Sequence, residues 1–170
     1  MNGPAPQEIV SLPWYVAHTR PRAEKKLAEY CAEKGLQHQL PLYRSVKKYR
    51  GKRMVFLKPL FPNYLFLRLT PGDRGKVLQN RHAARLLDVP DQEEFEQQLG
   101  SILLALESEF EIRVQPEIKP GVRVRIKTGP LRGMDGWVES RERMASVQLR
   151  LDFIGQAAVV SLDAEMLELA

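Results

Sequence analysis

The feature that most restricts how this chain can fold is a change of period part-way along it. Phe95, Leu99, Ile102, Leu103, Leu106 and Phe110 recur at intervals of three and four, which places them on one face of a helix. From residue 122 the interval is two: Val122, Val124 and Ile126 alternate with Arg123, Arg125 and Lys127, and Val147, Leu149 and Leu151 with Gln148 and Arg150. A third apolar run covers residues 158–162, and Gly121, Gly129, Pro130, Gly133, Gly136 and Gly155 punctuate the series. Short alternating strands with Gly and Pro turns predict a small β-barrel over residues 119–170. A core of about 50 residues is thin, but closure removes the free sheet edges. Between the two patterns lie two prolines, charges and no period, so residues 111–118 read as a linker.

Ahead of that linker, strands and helices mix. Trp14 to His18 alternate as a strand, and Pro21 opens a helix whose apolar face is Ala23, Leu27, Tyr30 and Cys31 and which Gly35 ends. Strands are expected at 37–43, 54–56 and 64–69, separated by a basic loop and by Pro59 and Pro62, with a short helix at 72–80. This describes an α+β domain with an antiparallel sheet over residues 13–110, preceded by a flexible N-terminus at 1–12.

Charge is distributed unevenly. Residues 20–85 carry a net +13, residues 86–110 a net −7, and residues 111–170 balance nine bases against nine acids. Residues 43–53 hold six cations and no acid, for which backbone phosphates are the natural counter-charge. Next to them stands Lys58-Pro59-Leu60-Phe61-Pro62-Asn63-Tyr64-Leu65-Phe66-Leu67, an aromatic run that reads as a docking pocket beside a polyanion site. A single cysteine, Cys31, leaves no pair for an internal disulfide and fits a reducing cytoplasm. No signal peptide or apolar run of membrane-spanning length is expected.

Catalytic constellations are not evident. Ser45-Val46-Lys47-Lys48 and Lys127-Thr128-Gly129 match elements of penicillin-binding enzymes, but Ser45 falls in the basic segment and the third element is missing. His18, His38 and His82 lack ligand spacing, and no phosphate-loop signature follows a glycine run. A non-enzymatic protein without cofactor or metal is expected.

Trp14-Tyr15-Val16, then Phe61-Pro62-Asn63-Tyr64-Leu65-Phe66, then Lys119-Pro120-Gly121-Val122-Arg123-Val124-Arg125-Ile126 with Gly129-Pro130-Leu131-Arg132-Gly133-Met134-Asp135-Gly136, resemble the NusG family of transcription elongation factors. The first two sets resemble its N-terminal (NGN) domain and the third its SH3-like KOW barrel. Arg50-Gly51-Lys52-Arg53 ahead of Pro59-Leu60-Phe61-Pro62 is closer to the specialised, operon-specific paralogue RfaH. Where RfaH has a His-Thr-Thr run facing the polymerase β-subunit gate loop, this chain has Gly75-Lys76-Val77.

The resemblance implies a monomer that docks on the RNA polymerase β′ clamp helices through Trp14, His18, Phe61, Tyr64 and Phe66. It also implies contact with the non-template DNA strand through Arg20, Arg22, Lys25, Lys26, Lys47, Lys48, Arg50, Lys52, Arg53 and Arg81. Phe153, Ile154 and Gln156 match the barrel loop that meets the ribosomal protein NusE or the termination factor Rho. The Gly-Pro turns imply a barrel throughout, unlike RfaH's helix-to-barrel switch. The function so implied is elongation and antitermination; a ribosome-associated, RNA-binding KOW module without polymerase contact is the second reading.

Overall fold

The computed structural model describes residues 11–115, 117–139 and 143–170. Most of the expected N-terminal arm, up to residue 10, therefore lies outside the described residues. The N-terminal region contains β1 (Trp14–Thr19), α1 (Glu24–Glu33), β2 (Gln37–Gln39), β3 (Leu42–Tyr49), β4 (Lys52–Pro59), β5 (Tyr64–Arg68), α2 (Arg74–Leu78), β6 (Ala83–Asp88) and α3 (Gln92–Glu107). Four of these strands form a sheet in the order β2-β5-β1-β6, antiparallel at each pairing. This is the expected α+β class.

Strand alternation divides that sheet into two faces. Tyr15, Ala17, Leu65 and Leu67 pack with Leu27 and Cys31 of α1 and Val77 of α2. Val16, Phe61 and Phe66 pack on the opposite side with Phe95, Leu99 and Ile102 of α3. The helix at α3 is the one its three-and-four spacing requires, and Asp91 caps it by accepting from the Glu94 amide at 3.0 Å. Pro21 does not open α1, which begins at Glu24 after a turn in which Arg22 has φ 59°. Strand β6 was invisible to the sequence pattern because its outward residues include Arg85 and its inward ones are few.

The basic segment is not a loop. Residues 42–59 form one antiparallel ribbon, β3 against β4, separate from the other sheets. Arg50 and Gly51 make its two-residue turn with φ of 49° and 75°, the left-handed pair that matches the twist of a hairpin. Cations hid the strand pattern because neither face of the ribbon is a core face.

The C-terminal region is β-rich, with β7 (Ile112–Gln115), β8 (Val122–Ile126), β9 (Asp135–Val138), β10 (Met144–Leu151), β11 (Gln156–Asp163) and β12 (Leu167–Leu169) in the order β12-β8-β9-β10-β11-β7. Its interior is Val124, Ile126, Leu131, Val147, Leu149, Val160 and Leu162, all at most 2% exposed. At Gly136 a Cβ would run into the Val147 side chain, so only glycine lets β9 approach β10 this closely. Residues 112–115, expected in the linker, instead add an edge strand to β11. Four residues are too few to display a period once a proline follows.

Candidate functional site

On the α3-facing side of the first sheet, register brings the expected docking residues together. Trp14 lies opposite Arg68, Val16 opposite Phe66, and His18 opposite Tyr64. The His18 and Tyr64 rings are 5.4 Å apart, and a chain of rings runs edge-on from Phe61 to Phe66 at 6.0 Å and from Phe66 to Phe95 at 5.6 Å, then tilted from Phe95 to Trp14 at 5.7 Å. The five residues therefore share one site, but they do not share one environment. Phe61 and Phe66 are 1% and 0% exposed, which makes them core in this arrangement, whereas Trp14, His18 and Tyr64 are half-buried.

Four residues not among the expected docking residues hold this site in shape. Phe95 of α3 covers Phe66 and Trp14. Arg68 lies 4.5 Å over the Trp14 ring and is paired with Glu96. Gln92 binds both sides of the Trp14 backbone: Trp14 N donates to its Oε1 at 2.6 Å, and its Nε2 donates to Trp14 O at 2.8 Å. Glu24, only 7% exposed, accepts from Asn63 N at 2.9 Å, while Thr19 N donates to Asn63 O at 2.8 Å. Asn63 sits at φ 70°, so these two bonds fix the Pro62-Asn63 turn that presents Tyr64. For Glu24 the signal in the sequence is that it is the sole acid between Arg20 and Lys26.

The expected nucleic-acid residues fall on the ribbon, on the chain around α1 and, for Arg81, between α2 and β6. All ten are exposed, and among the described residues none is paired with an acid. Lys25 Nζ donates to Leu57 O at 2.7 Å, tying α1 to β4, and Arg20 Nε donates to Arg81 O at 2.9 Å. Register sorts the ribbon's side chains. Tyr43, Lys58, Ser45, Phe56, Lys47, Met54, Tyr49 and Lys52 share one face; Arg44, Leu57, Val46, Val55, Lys48 and Arg53 share the other. Lys58 lowers the Lys47 pKa, first through a side-chain contact and then through like-charge repulsion. Such crowding of cations without an acid is relieved by a bound anion. Tyr49, 62% exposed, stands with its ring 5.5 Å from the Arg50 guanidinium, an aromatic surface at the ribbon tip.

Phe153 and Ile154 occupy a 3-10 turn between β10 and β11, with Gln156 opening β11. The turn faces the first domain. Phe153 meets Phe95 edge-on at 6.2 Å, Gln98 Nε2 donates to Asp152 Oδ2 at 2.5 Å, and Asp152 N donates to Gln98 Oε1 at 2.9 Å. One apolar cluster consequently runs from Val16 and Phe66 through α3 into the barrel. Gly75-Lys76-Val77 lies in α2, where Val77 is fully buried and Lys76 is paired with Asp73 at 2.9 Å. Among the described residues no group of three or more metal-ligating side chains occurs, and no helix is long and apolar enough to cross a membrane.

A family model described as NusG, transcription termination factor nusG, matches residues 12–100, more than half of the chain. The chain belongs to the NusG family of transcription factors. A structure of Thermotoga maritima NusG, described for its domain interaction, shares the fold at a TM-score of 0.51 and 18% identity, over 92% of this chain and 96% of that one. A structure of the MjSpt4:Spt5 complex is aligned over 92% of this chain and 96% of the other at 17% identity, with a TM-score of only 0.29. No curated protein matches by sequence.

Proposed function

We propose that this chain is an elongation and antitermination factor that docks on the polymerase β′ clamp helices and follows the non-template DNA strand. The observation that carries the reading is a juxtaposition: a partly exposed Trp14–His18–Tyr64 face stands on a domain whose neighbouring ribbon bears cations without acids. Aromatic anchors in a desolvated pocket dominate interface energetics, at about 2 kcal/mol or more each. Cations beside exposed aromatics are what a single strand of nucleic acid requires. The barrel would then serve as the platform for a partner such as NusE or Rho. Arg50-Gly51-Lys52-Arg53 at the ribbon turn, ahead of Pro59-Leu60-Phe61-Pro62, supports an RfaH-type specialised paralogue over a general factor, although the chain's C-terminal region is a barrel and not a helical hairpin.

The test is binding to a clamp-helix fragment, using Tyr64→Ala and His18→Ala, because truncating the fully buried Phe61 would unfold the domain as readily as empty a pocket. A loss of about tenfold or more in each variant, with unchanged melting, is expected. Wild-type affinity in both would remove the clamp assignment. Transcription through a pause site and a Rho-dependent terminator then separates the two types: a specialised paralogue increases readthrough, and a general factor assists Rho.

A further inference from the structure

The ribbon has two faces, and nucleic acid suits only one of them. On the first, Tyr43, Tyr49 and Phe56 stand among lysines, rings beside cations as stacked bases require. The opposite face carries no ring. Its middle is aliphatic, with Val46, Val55 and Leu57 all about half exposed, and it is bounded by Arg44 toward the base and by the Lys48–Arg53 pair toward the tip. Aliphatic side chains grouped in water mark an interaction surface. With cations at both ends, the partner such a face fits is apolar at its centre and acidic at its ends.

The outside of α3 presents that pattern with the signs reversed. Glu93, Glu96, Gly100, Leu104 and Glu107 recur at three and four, so they form one stripe, exposed throughout and turned away from the buried Phe95, Leu99 and Ile102. Leu104 is its apolar member, with Glu93 and Glu96 toward one end and Glu107 at the other. Among the described residues Glu93 and Glu107 pair with no cation, Glu96 pairs with Arg68, and no ribbon cation pairs with an acid. Gly100 stands within the stripe with nothing inside 4 Å of where its Cβ would lie. Glycine weakens a helix interior, and what it permits is close approach to the helix backbone. The lengths agree as well: the eight residues of β3 span about 26 Å and the 16 of α3 about 24 Å.

From this we infer that the chain binds a second copy of itself head to tail, the Val46–Val55–Leu57 face of one copy's ribbon lying along the Glu93–Gly100–Leu104–Glu107 stripe of the next copy's α3. An acidic helix of another protein could meet one half of this contact, but here both halves belong to one chain and match in length, order and sign. Ribbon and helix are different surfaces, so the contact is heterologous and joins copies in a row or a ring. The ring-bearing face of each ribbon stays open. A small interface with a charged rim binds weakly, so the monomer that the family resemblance implies is the dilute form. The inference depends on neither the clamp contact nor strand binding.

The full chain, freed of nucleic acid by nuclease and cation exchange, is followed by sedimentation velocity from about 10 to about 500 μM at about 50 and about 300 mM salt. The weight-average mass should rise with concentration at the lower salt and fall toward that of one chain at the higher, where surface charges are screened. Glu93→Lys/Glu107→Lys on the helix and Arg44→Glu/Lys48→Glu on the ribbon should each weaken self-association by about tenfold or more. Mixed together, the two variants should associate again, because the native ribbon of one meets the native helix of the other and the reversed surfaces also match. Only a ribbon-to-helix contact gives that rescue. Gly100→Gln, a better helix former with room for its side chain in a single copy, should melt no lower than the native chain and abolish association. The inference fails if the native chain sediments as one copy throughout, if the mixed variants stay apart, or if Gly100→Gln associates as the native chain does.

Discussion

At the scale of single residues, the buried Glu24 carboxylate controls the docking face from behind. It accepts from Asn63 N, and Asn63 is held at positive φ. Removing the acceptor leaves a part-buried amide unpaired, so Glu24→Ala should lower unfolding free energy by about 1–3 kcal/mol, while Glu24→Gln, which keeps an amide oxygen there, should recover most of it. Urea melts of the three proteins check this. Cys31 is a second case, buried at 0% exposure under α1, and burial raises its thiol from 9.0 to about 11. The native thiol should resist Ellman's reagent at pH 8 and react on unfolding. Because its folded pKa is raised, its contribution to stability is complete below pH 9.0 and is lost as pH rises toward 11. Cys31→Ala should lack that alkaline slope in melts taken across the window. The helix face of Cys31 with Leu27 was legible from spacing alone, whereas Glu24's role was not, since its partner is a backbone amide 39 residues away.

At the scale of elements, the ribbon and α3 behave oppositely. The α3 helix announces itself because one of its faces is buried, and burial enforces a period. The β3–β4 ribbon has no buried face over most of its length, with Val46, Met54, Val55, Phe56 and Leu57 all exposed, so no core imposes a period on its sequence. That is why residues 43–53 read as a loop. Its shape depends on the turn. Gly51→Val, at φ 75°, should cost the ribbon about 1–2 kcal/mol. Hydrogen exchange should show faster opening at residues 46–55 with the remainder unchanged, because nothing packs beneath the tip. Neutralising Lys47, Lys48, Arg50, Lys52 and Arg53 together should reduce the salt slope for single-stranded DNA by about 3.5. An unchanged slope would move the DNA site off the ribbon.

At the scale of the whole molecule, the two regions close on each other through Phe153 against Phe95 and Gln98 with Asp152. The barrel turn expected to meet a partner is thus engaged within the chain, and the same contact backs the helix that covers Phe66 and Trp14. Phe153→Ala with Gln98→Ala should part the domains, raising the radius of gyration in X-ray scattering. Unaltered scattering would show that other contacts hold the closure. The period change at residues 110–122, the aromatic run and the charge imbalance determined by themselves the two regions, their α+β and β character, and the family resemblance, because these follow from local spacing and composition. Only the tertiary structure decided which aromatics are core, that the basic segment is a ribbon, and that residues 112–115 join the barrel. Each of these depends on which surfaces lose water against distant parts of the chain, and such pairings are not written in neighbouring residues.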